Sequence, residues 1–222
     1  MKTTRKLTLL LLFINSAVSL AQEKISATKI DAMHLPVGIT YEGKLKSATR
    51  WTDTNGDNIA FVTETGEYRN PKFQHDSDNG IDAELFAYHF IMKDGKPSLY
   101  WKLYDLVSDC PLDLTASFDD FRISDIDKNG VAEVWMLYKI ACRGDVSAAE
   151  MKLIMYENGK KHAMRGTEKI FQGINENGTK SYDGGEYKFD TAFMKASEEV
   201  RMYAKKLWNN FMDASGPEGK KL

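Results

Sequence analysis

Asp125-Ile126-Asp127-Lys128-Asn129-Gly130-Val131-Ala132-Glu133 is the stretch from which the rest of the chain can be read. Oxygen-bearing side chains stand at its first, third, fifth and ninth positions, and Gly130 stands at the sixth. A loop of this kind suits a hard cation, because Ca²⁺ takes six to eight oxygens at about 2.3–2.6 Å and the glycine permits a sharp turn. Asp125, Asp127 and Asn129 would ligate through side chains, Val131 through its carbonyl and Glu133 through its carboxylate. The competing reading is a plain hairpin turn, with Asn129-Gly130 supplying positive φ and the aspartates accepting backbone amides. Under either reading the loop feeds the apolar run from Val131 to Ile140, whose composition is that of a strand buried on both faces.

A shorter echo lies upstream at Asp53-Thr54-Asn55-Gly56-Asp57 and also runs into an apolar strand. Asp53, Asn55 and Asp57 make it a weaker second candidate for calcium, since the ninth position is Phe61, which cannot ligate. The two loops belong to an internal repeat. Asn55-Gly56 matches Asn129-Gly130, and Asp94-Gly95-Lys96 matches Asn158-Gly159-Lys160, both being tight-hairpin signals between apolar runs. The first copy is longer by about ten residues, a surplus that falls in the polar insert from Tyr68 to Gly80 and reads as an exposed loop. Two copies cannot close a propeller ring. The expectation is therefore a mainly β domain over residues 22–222. Its core would be an antiparallel sheet or sandwich of two propeller-blade-like repeats, at about residues 44–107 and 117–175.

The C-terminal region changes period. Phe193, Ala196, Val200, Tyr203, Leu207 and Phe211 recur at spacings of three and four, which predicts an amphipathic helix over 190–213. Asp190 is placed as its N-cap, Phe189 and Met194 as a hydrophobic staple, and Gly216-Pro217 as its stop, with a disordered tail over 216–222. Such a stripe serves as a lid on a sheet or as a partner-binding face.

At the other end, Lys2, Arg5 and Lys6 precede an apolar run from Leu7 to Ile14, and Ser19-Leu20-Ala21 offers small residues for cleavage. Residues 1–21 thus read as a signal peptide of an exported protein, and the run is too short to span a membrane, which takes about 20 residues. The formal net charge is −2, and loss of the basic leader makes the remainder more acidic still. A chain of this charge has no general electrostatic attraction for nucleic acid or an anionic membrane. Cys110 and Cys142 are the two cysteines. In an exported protein they read as a disulfide closing a loop of about 33 residues, with two free thiols or a redox pair as the alternative.

Catalytic motifs are absent from the sequence. His34, His75, His89 and His162 are scattered without zinc spacing, and no nucleophile elbow, phosphate loop or dinucleotide fingerprint occurs. Asp119-Asp120 and Glu198-Glu199 are the acid pairs available to a glycan-active enzyme, and adjacent acids more often mark solvated surface. Trp51, Trp101 and Trp135, with Tyr100 and Tyr104, are the aromatic residues placed to face a glycan, unless they belong to the core.

The acidic loops at 53–57 and 125–133 resemble those of the FG-GAP/VCBS class of β-propeller repeats, in which such loops bind calcium between strands. The longer run from Ser124 to Lys139, with Cys142-Arg-Gly-Asp-Val-Ser147, Met151 to Glu157 and Ala163-Met-Arg-Gly166, resembles a family of exported bacterial surface polysaccharide (lipopolysaccharide) biosynthesis proteins. The resemblance implies a process and no active site. The expected function is a non-catalytic accessory or binding protein of the cell envelope, periplasmic or at the cell surface, whose partner is envelope polysaccharide. A calcium-stabilised module that binds another envelope protein is the alternative, and a carboxylate-dependent glycan enzyme the third.

Overall fold

The computed structural model describes residues 25–214, so the leader at 1–21 and the tail at 216–222 lie outside the described residues. Two five-stranded antiparallel sheets dominate. The first runs β1 (Ala27–Ile30), β2 (Lys44–Asp53), β3 (Gly56–Glu64), β4 (Ile81–Lys93) and β5 (Lys96–Cys110), in sequence order. The second contains β6 (Asp113–Ser124), β7 (Glu133–Arg143), β8 (Glu150–Glu157) and β9 (Lys160–Thr167). The hairpin β10 (Lys169–Ile174) and β11 (Lys180–Gly184) stands apart, and β12 (Tyr187–Phe189) returns to add the fifth strand beside β9.

Each repeat is thus a four-stranded meander, β2–β5 and β6–β9, joined through Pro111-Leu112. The second meander covers 113–167, so the repeat boundary expected near 175 moves inward, and β10 belongs to the separate hairpin. Matching hairpins use matching chemistry. Asp94 and Gly95 have φ of 50° and 75°, and Asn158 and Gly159 have 46° and 73°. Positive φ at both central residues is the tight turn whose twist fits that of the strands it joins.

The sheets pack face to face and neither closes into a barrel. Alternation along the strands builds three apolar layers. Between the sheets lie Val62, Leu85, Leu103, Val134, Met136 and Ile154. The outer face of the first sheet presents Ile59, Phe61, Phe86 and Phe90, covered by Leu35, Ile39 and Tyr41 of the segment before β2. On the outer face of the second sheet, Trp135, Leu137, Met151 and Leu153 meet the C-terminal helix. β7 is buried on both faces, as its unbroken apolar run requires.

The C-terminal helix is two helices. α1 (Thr191–Met194) is capped by Asp190, whose Oδ1 accepts the Phe193 N–H at 2.7 Å. The chain turns at Lys195–Ser197 before α2 (Glu198–Ala214), where the Ser197 hydroxyl accepts the Val200 N–H at 3.3 Å. The expected staple is not made by Met194, which is 61 % exposed; Phe189 stacks on Phe193 instead, with ring centroids 4.7 Å apart. The buried stripe is also wider than its spacing predicted, because Ala204, Trp208 and Met212 join Val200 and Leu207. The helix is a lid on the second sheet. No helix among the described residues is long and apolar enough to cross a membrane.

Cys110 and Cys142 form the disulfide, with Cα atoms 5.6 Å apart. It joins the end of β5 to the end of β7, and hence one sheet to the other.

Candidate functional site

The two acidic loops meet. The Thr54 N–H donates to the Gly130 carbonyl at 2.9 Å, and the Ala132 N–H donates to Asp53 Oδ2 at 3.1 Å. Asp53 also accepts the Trp51 indole N–H at 2.9 Å, the Asn55 N–H at 2.8 Å and the Asn58 amide at 2.9 Å. Asn58 in turn meets His89 Nε2 at 2.9 Å. Burial lowers the His89 pKa to about 4, so the ring is neutral across the physiological range. Asp57 is held by Arg50 through two bonds, at 2.9 and 2.5 Å. Asp53, of the weaker calcium set Asp53, Asn55 and Asp57, is thus bonded to N–H donors and Asp57 to a guanidinium, and the Ala132–Asp53 and Thr54–Gly130 bonds make the loop a joint between the repeats.

That joint makes a prediction. Asp53→Ala leaves the indole of buried Trp51 and the amide of buried Ala132 without their acceptor, and should cost about 1–3 kcal/mol of folding stability. Urea unfolding reads this as a lower midpoint; an unchanged midpoint would mean that water replaces the carboxylate at no cost.

The downstream loop is different. Asp125, Asp127 and Glu133 each offer a carboxylate oxygen, and the three atoms lie within 4.8 Å of one another. Glu133 is fully buried at the first position of β7. Its carboxylate accepts the Ser124 hydroxyl at 2.7 Å and the Ile126 N–H at 2.9 and 3.0 Å. Burial pushes its pKa above the ordinary value, and the neighbouring Asp127 charge pushes the same way against the Ser124 and Ile126 bonds. Asp125 accepts the Gly130 N–H through Oδ2 at 3.3 Å, while its Oδ1 is buried and has no hydrogen-bond partner. Lys128 and Gly130 take φ of 58° and 82°, which folds the chain back so that Glu133 returns beneath Asp125 and Asp127.

Asn129 is turned to the loop itself. Its Oδ1 accepts the Val131 N–H at 2.8 Å, and its amide donates to Asp127 Oδ2 at 2.9 Å and to Glu157. The cluster therefore comprises three of the five expected ligands. Carboxylates gathered this closely, one buried and two half-buried, repel one another, and a divalent cation relieves that repulsion while using the idle Asp125 Oδ1. Among the described residues this is the one acid cluster that could hold a metal ion.

No family model, curated protein or solved structure matches this chain.

Trp51, Trp101 and Trp135 are buried, at 2, 8 and 1 % exposure, so they are core residues and not a glycan-facing platform. Trp101 stacks on Tyr156 between the sheets at 4.0 Å, and Trp135 packs under Tyr203. Asp120 pairs with Arg122, and Glu198 and Glu199 lie exposed in the first turn of α2. Sequence reasoning passed over Glu84, Asn70 and Lys102, which border a cavity beneath the 65–80 loop. The surplus length of the first repeat was the signal that pointed there.

Proposed function

We propose that the protein is a non-catalytic accessory or binding protein of the cell envelope, serving production or display of surface polysaccharide, with a Ca²⁺ held at Asp125, Asp127 and Glu133. The observation that carries the metal part is the convergence of three carboxylates around a buried, unpartnered Asp125 oxygen. The resemblance of the Ser124–Lys139 and Cys142–Gly166 segments to exported surface polysaccharide proteins supports the process, and a disulfide between the sheets is compatible with export. Of the acids considered for a glycosidase, Asp120 is engaged by Arg122 and Glu198–Glu199 are surface residues.

In this reading the cation acts on architecture. It draws the loop ahead of β7 onto Glu133, and the Ala132–Asp53 and Thr54–Gly130 bonds pass that order to the first sheet. The test is deletion of the gene, with complementation by wild type and by the paired Asp125→Asn, Asp127→Asn variant. Wild type should restore surface polysaccharide and the variant should restore less. Unchanged polysaccharide in the deletion strain would sink the reading.

A further inference from the structure

The connection between β3 and β4, residues 65–80, has no counterpart of its length in the second repeat, where 144–149 joins β7 to β8. It is firmly held. Buried Asp82 accepts the Asn70 N–H at 2.6 Å and the Asp109 N–H at 3.0 Å, and it pairs with His75 Nε2 at 2.7 Å. Tyr68 and Asp82 exchange backbone bonds of 2.9 and 2.6 Å, and Arg69 clasps the carbonyls of Ser77, Asp78 and Gly80. Although burial opposes it, these N–H groups and His75 hold the Asp82 carboxyl below its ordinary pKa, so it stays ionised at neutral pH.

Fixed in this way, the loop stands over the outer face of the first sheet and borders, with residues 42–44, an open cleft of about 770 Å³. That size lies within the range of small-molecule sites, about 300–1,000 Å³. Its floor is aromatic: Tyr104, 46 % exposed, stacks on Phe86 with centroids 5.1 Å apart. Beside the floor, the nearly buried Glu84 accepts the Tyr104 hydroxyl at 2.6 Å, the Asn70 amide at 3.3 Å and the Tyr68 hydroxyl. Burial and Glu84 push the Tyr68 pKa up to about 12, which keeps that hydroxyl a donor. At the rim, Lys102 is neutralised by Glu42 at 3.2 Å, whereas Lys44 and Lys72 have no carboxylate partner among the described residues.

The chemistry of this lining is amphipathic in a particular way. A ring with an apolar C–H face would lie on Tyr104, and a ring hydroxyl would donate to the lone-pair site that Glu84 Oε1 keeps beside its bond from Tyr104, while Tyr68 and Asn70 hold the other oxygen in place. The exposed Lys44 and Lys72 ammoniums at the rim would attract an anionic substituent on that ring. A purely apolar ligand would leave Glu84 desolvated without new partners. We propose that this cavity binds a saccharide residue bearing a carboxylate. The proposal names the ligand class of the envelope-glycan reading above and rests on that reading for its biological setting. It is independent of the metal loop.

The test uses the full mature chain, disulfide intact, in calcium buffer. Disaccharides ending in glucuronate, galacturonate or N-acetylneuraminate are titrated calorimetrically beside their neutral counterparts. At least one acidic disaccharide should bind, about tenfold or more tighter than its neutral counterpart. Tyr104→Ala and the paired Lys44→Ala, Lys72→Ala variant should each weaken it about tenfold or more, while Lys206→Ala, at an exposed lysine of α2 on the far sheet, should bind as wild type. Binding of none of them, equal binding of neutral sugars, or affinities unchanged in the cavity variants would each overturn the proposal. If gene deletion alters surface polysaccharide while no saccharide binds, the cavity proposal fails alone. If saccharides bind and deletion changes nothing, the envelope reading fails alone.

Discussion

Trp135→Ala is expected to lower folding stability by about 3–5 kcal/mol, the range for removing a large aromatic side chain from a packed core. Trp135 sits on β7 under the helical lid, 1 % exposed, with Tyr203 at 5.2 Å and Phe193 at 6.2 Å. The lid shields this face, so the space left by the indole cannot fill with water cheaply. The indole N–H adds a second effect. It donates to the Ser124 hydroxyl at 2.8 Å, and that hydroxyl donates to Glu133 at 2.7 Å. The lid is therefore connected to the acid cluster through one serine. Urea unfolding should show a lower midpoint at an unchanged slope. Trp135→Phe keeps most of the ring and should lose only about 1–2 kcal/mol. Equal losses in the two variants would assign the effect to the hydrogen bond and not to packing.

The second large effect is the disulfide. Replacing Cys110 and Cys142 together with serine should cost about 3–4 kcal/mol, because the bond closes a long loop in the unfolded chain. That loop spans 32 residues of separation and contains all of β6 and the whole acid cluster. The bond thus restrains the same segment that the cation would order. The double variant, compared with wild type under non-reducing conditions, should unfold at lower urea. An unchanged midpoint would mean that the two sheets constrain the loop without it.

The repeat was legible because its turns carry their own chemistry. Asp94-Gly95 and Asn158-Gly159 can take positive φ at adjacent positions, and the apolar runs between turns then fall into register as two meanders. The acid cluster was legible because its ligands lie close in sequence. What escaped depends on contacts between distant segments. Nothing near Asp53 announces that Ala132 will donate to it. The tryptophans could not be assigned a face from composition, since a register shift at His89–Phe90 alters the alternation opposite Leu99 and Trp101. The break at Lys195–Ser197 has no glycine or proline to mark it, and β1 and β12 are short edge strands with little apolar pattern. The cavity needed both the sheet face and the folded-over loop, so only the surplus of the first repeat hinted at it.

Thermal unfolding of the wild type and of Asp127→Ala, each in Ca²⁺ and in chelator, tests the metal centre most directly. A ligand bound to the folded state alone stabilises by mass action, about 2.7 kcal/mol at a hundredfold excess over its dissociation constant. Wild type should melt higher in Ca²⁺ than in chelator, and Asp127→Ala should melt alike in both. Superimposable wild-type curves would contradict a cation at Asp125, Asp127 and Glu133.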